Sequence, residues 1–103
     1  MNRWNIGELD ALADLLETFS LEQWQLQIGI PAGRFREVKD DLLIAPHQME
    51  EVCAFVKAHR ARRRLLLCCA DNIGFFTSDE PCIRDTGRGL AFWTGCKAGY
   101  SSL

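Results

Sequence analysis

Apolar residues recur at helical spacing along the first part of the chain. Ile6, Leu9, Leu12, Ala13, Leu16 and Phe19 fall three and four apart, while Asp10, Asp14 and Glu17 line another face. This pattern predicts an amphipathic helix over residues 6–19. Asn5 suits its N-cap, and Glu8, three residues on, can close a capping-box-like start and meets the positive end of the helix dipole. Residues 24–30 follow a different rule: Trp24, Leu26, Ile28 and Ile30 alternate with Gln25, Gln27 and Gly29. That is the mark of a half-buried strand, whereas a helix would scatter those apolar residues around its circumference. Ser20-Leu21-Glu22-Gln23 also reads as a capping box, so a helical alternative stays open for residues 20–45. On the strand reading, Pro31-Ala32-Gly33 turns the chain, 34–38 returns, and 42–45 adds a short strand.

A second helix is expected over residues 47–63. Pro46 suits its first turn, Met49, Val52, Cys53 and Val56 make its apolar stripe, and Phe55 broadens that stripe. Beyond it the run 65–70 reads as a strand, Asp71-Asn72 as a tight turn and 73–77 as a further strand. Segments 82–85 and 90–94 flank Thr86-Gly87-Arg88-Gly89 as a hairpin, and from about residue 97 a short flexible tail is expected. These elements assemble into an α+β fold in which two helices pack on one face of a small, mostly antiparallel sheet, in the order helix, strands, helix, strands. The alternative is an N-terminal helical bundle with a C-terminal β-hairpin.

Composition narrows the class. A chain of 103 residues with 48% hydrophobic and 25% charged side chains is expected to be one compact domain over residues 1–103 rather than a disordered segment. Met1-Asn2-Arg3-Trp4-Asn5 lacks the basic start and apolar run of a signal peptide, and the 65–70 run is far too short to span a bilayer. Five cysteines, at 53, 68, 69, 82 and 96, are an odd and irregular set, a poor disulfide framework and a better fit to reduced thiols used as small apolar side chains. A soluble, cytoplasmic protein that does not contact membranes is therefore expected.

The formal charge of −2 conceals an asymmetry. Residues 1–51 carry ten acids and four bases, whereas residues 52–103 carry eight bases and four acids. Five of those bases cluster at Lys57, Arg60, Arg62, Arg63 and Arg64, at the end of a helix whose dipole favours cations. The cluster could contact phosphates or an acidic partner, but a solvated helix end beside the acidic first helix is the plainer account.

Gly29-Ile30-Pro31-Ala32-Gly33-Arg34-Phe35-Arg36-Glu37-Val38 is similar to the turn and recognition helix of the helix-turn-helix motif, with Phe35 and Val38 at its packing positions. The resemblance implies a nucleic-acid-binding regulator that uses Arg34, Arg36 and Lys39. It departs from the motif at Gln25, where a small residue is usual, at Gly33, which weakens a helix, and at Asp40 and Asp41, which repel phosphate. Residues 15–69, with Phe19-Ser20-Leu21-Glu22-Gln23-Trp24 early and Arg62-Arg63-Arg64-Leu65 late, look like the small death-like helical adaptor domains of bacterial immune effectors. That resemblance implies a helix at 65–70, where the apolar run reads better as a strand.

Chemistry leaves little trace. Cysteines and histidines do not fall at the two-to-four-residue spacing of metal ligand pairs, so neither metal nor cofactor is expected. Cys96, beside Lys97, is the one cysteine in a setting that could favour a thiolate, and a plain loop residue is the stronger reading. Paired carboxylates and phosphate-binding loops are missing from the sequence, so an enzyme is not expected. The function expected is that of a small binding protein (inhibitor, adaptor or regulator) acting through a protein partner, anchored by Trp4 and Trp93 with Arg60, Arg62, Arg63 and Arg64 on the rim.

Overall fold

In a computed structural model of the chain, residues 1–62, 65–70, 73–75, 77–84 and 95 are described. The helical rhythm at the N-terminus forms a 3-10 turn, Ile6–Glu8, that runs into α1, Leu9–Glu17. Asn5 precedes the turn without capping it through its side chain; its Oδ1 accepts the Asn2 N–H at 2.8 Å instead. Ile6, Leu9 and Ala13 are buried and Leu16 is half-buried, which leaves Leu12 and Phe19 of the apolar spacing exposed.

The alternating stretch becomes β1, Gln23–Leu26, and the apolar run becomes β2, Leu66–Cys69. They pair in parallel, with Gln23 opposite Leu66 and Leu26 opposite Cys69. Between them lie a 3-10 segment, Gly33–Val38, a short α2, Lys39–Leu42, and the long α3, Pro46–Arg62. Seventeen residues of helix span about 25 Å, enough to carry the chain back to the end of the sheet at which it entered. Two strands entered from the same end must be parallel, and a helix is the usual crossover.

This corrects the expected architecture. Among the described residues the sheet has two parallel strands rather than a mostly antiparallel set, and there are four α-helices. The expected returning strand at 34–38 is 3-10 structure: Gly33 sits at φ +55° and the Phe35 N–H bonds back to Ala32 O at 3.2 Å. Only Phe35 of that segment is even half-buried, so no strand alternation has a core to face. Leu42 closes α2, with the Leu43 N–H bonded to Lys39 O at 2.8 Å, rather than opening a strand. Residues 73–75 form a turn around Gly74, and α4, Glu80–Arg84, replaces the strand expected from Cys82. The expected hairpin at 86–94 and the tail lie outside the described residues.

The two family resemblances fail on the same elements. A helix-turn-helix needs α-helix on both sides of its turn, and here β1 precedes it and 3-10 structure follows. A death-like bundle needs a helix where β2 stands.

The core gathers where α3 crosses the sheet. Val52, Cys53 and Val56 of α3 meet Leu26 of β1, Leu67 of β2, Ile73, Ile83 of α4, and Ile6 and Leu9 from the N-terminal segment. All of this lies on one face of the sheet. The opposite face carries the exposed Gln23, Gln25 and Leu66. Among the described residues no helix is long and apolar enough to cross a membrane.

Candidate interaction surface

Two of the five residues of the basic cluster, Lys57 and Arg60, are engaged within the fold. Lys57 pairs with Asp79 at 2.7 Å, which raises the lysine pKa through that hydrogen bond and charge. Arg60 is partly buried, and its guanidinium donates to the carbonyls of Leu67, at 3.0 Å, and of Cys82. A guanidinium bonded this way staples α3 to β2 and to α4, because its fixed fork of donors can serve several acceptors at once. Arg62 is exposed, whereas Arg63 and Arg64 lie outside the described residues. Arg84 does similar work from α4: it donates to Ile73 O at 2.9 Å and Cys69 O at 3.3 Å, with the buried Glu80 carboxylate 3.7 Å away.

His59 is a residue that sequence periodicity did not single out. It is 3% exposed, its Nε2 lies 2.9 Å from Leu65 O, and Trp24 and Phe55 stand edge-on or tilted against its ring, with centroids 5.8–5.9 Å away. A contact with a carbonyl requires that Nε2 carry its proton and donate it. Glu17, expected on a solvated acidic face, accepts the Leu65 N–H at 3.1 Å and ties the end of α1 to the start of β2. Cys53, Cys68, Cys69 and Cys82 are free thiols. Burial pushes Cys53 above its ordinary pKa and takes Cys69 up to about 11, partly offset at Cys69 by Arg60 and Arg84. Such thiols are poor nucleophiles at neutral pH. Cys96 lies outside the described residues, and among the described residues no group of three or more metal-ligating side chains converges.

Among the described residues the exposed large apolar side chains are Trp4, Leu12, Leu15, Phe19, Leu21, Ile30, Val38 and Leu66, five of them before β1. α1 buries Leu9 and Ala13 and half-buries Leu16, whereas Leu12 and Leu15, three apart on the helix, and Phe19, just beyond its end, are exposed, at 40, 54 and 57%. Leu21, two residues beyond Phe19, is also exposed, and Trp4 is 74% exposed. Next to the band a cleft of about 230 Å³ opens between the N-terminal segment and β1. Met1, Leu9, Leu12, Trp24 and Leu26 supply its apolar walls, and Asn5, Glu8, Gln25 and Gln27 its polar ones. It falls below the roughly 300–1,000 Å³ of small-molecule sites, so it fits a side chain better than a cofactor. From residue 4 to residue 33 the sequence carries five carboxylates (Glu8, Asp10, Asp14, Glu17 and Glu22) and no base.

Of the expected partner-binding residues, Trp4 is exposed on the N-terminal segment, Arg60 is spent inside the fold, and Trp93 lies outside the described residues. Arg34, Arg36 and Lys39 are exposed on the 3-10 segment and α2, interspersed with the equally exposed Glu37, Asp40 and Asp41. No protein-family model matches the chain, and comparison with curated proteins and with solved structures returned no match either.

Proposed function

We propose that the protein is a small binding module (an inhibitor, adaptor or regulator) that works in the cytoplasm through a protein partner and carries out no catalysis of its own. The observation that supports this reading is the outward band of Leu12, Leu15, Phe19 and Leu21, with Trp4 on the same segment. Single apolar residues on a surface are ordinary, but two exposed leucines on one helix, followed within six residues by an exposed Phe19 and Leu21, are what a partner-binding patch is made of. The acid-only charge of residues 4–33 favours a basic partner and works against nucleic acid at this face.

The test is site-specific photo-crosslinking in the native host, with the reactive side chain placed at Leu15 or Phe19 and, as a control, at His47 or Glu50 on α3. The reading expects one defined protein adduct from the first pair only, and expects that protein, once purified, to bind the chain directly. Phe19→Ala should then weaken the complex by about 2 kcal/mol, mostly through faster dissociation. Adducts to DNA or RNA, concentrated at Arg34, Arg36 and Lys39, would replace the protein partner with a nucleic acid.

A further inference from the structure

We draw no further inference here: the strongest candidate, the outward face of the parallel β1–β2 pair, where Gln23, Gln25 and Leu66 lie exposed on a face that parallel sheets ordinarily bury, carries no proposal because nothing among the described residues shows what covers it.

Discussion

The half of the molecule built on α3, β2 and α4 and the half built on α1 and β1 draw on the same residue types and bury them differently. In the first, Val52, Val56, Leu67, Ile73 and Ile83 are fully buried, and even the charged Glu80 and the His59 ring are drawn inside and bonded. In the second, a helix with comparable apolar spacing buries Leu9 and Ala13 and leaves Leu12 and Leu15 in solvent, as it does Phe19 just past its end. The contrast shows that helical periodicity marks which residues are apolar, not which are core. A stripe wider than the contact it makes is left over, and that surplus is where association is to be sought.

The sharpest way to break this contrast is to truncate one leucine from each half. Leu67→Ala removes a side chain with no solvent exposure from the middle of the core and is expected to cost about 4 kcal/mol, whereas Leu15→Ala should change stability by less than about 0.5 kcal/mol. Urea unfolding measures both, and similar losses would mean that α1 is packed as tightly as β2.

Two glycines give the next comparison. Gly74 has φ +74°, and an added Cβ would lie 2.6 Å from Ile83 Cδ1, so Gly74→Ala combines backbone strain with overpacking and should cost about 3 kcal/mol. Gly33 has φ +55° but open space around it, so Gly33→Ala should cost only about 1 kcal/mol of strain. Thermal melts of the two variants would show whether the core half is the rigid one.

The third test is by pH. In the folded chain Cys69 keeps its proton up to about 11 against an ordinary value of 9.0, so between those values the unfolded chain loses a proton that the folded chain holds. Its contribution is therefore complete below about pH 9 and is lost as pH rises toward 11, by about 2 kcal/mol. Unfolding curves across that window should slope downward in the wild type and be flatter in Cys69→Ala. At neutral pH, alkylation followed by mass spectrometry should modify the exposed Cys82 before the buried Cys53.

Much of this arrangement can be read from the residues, and the parts that cannot have physical causes. The spacing of Ile6, Leu9 and Ala13 and of Val52, Cys53 and Val56 marks α1 and α3, and the alternation from Trp24 marks β1, because each pattern is a direct image of local geometry. Alternation carries no strand direction. The direction follows from the crossover, and a strand, a long helix and a second strand in succession are the signal for a parallel pair, one that the hairpin reading of the 20–45 segment obscured. The strand expected from Cys82 overlooked Pro81 in the first turn of α4, a position where proline favours a helix. The surface was harder still. Trp4 could be named as an anchor, but the exposure of Leu12, Leu15 and Phe19 depends on where α1 lies over the sheet. Likewise, the inward turn of Arg60 depends on carbonyls of β2 and α4 that are distant in sequence.

The central claim is that the apolar band of α1 serves association and not folding, and its most direct test is the stability of the triple variant Leu12→Gln, Leu15→Gln and Phe19→Gln. Measured by urea unfolding beside the wild type, it should keep its unfolding free energy to within about 1 kcal/mol, with an unchanged slope, while the protein crosslink from α1 disappears. A loss of several kcal/mol would show instead that the band is packed against the protein's own chain, and would contradict the account.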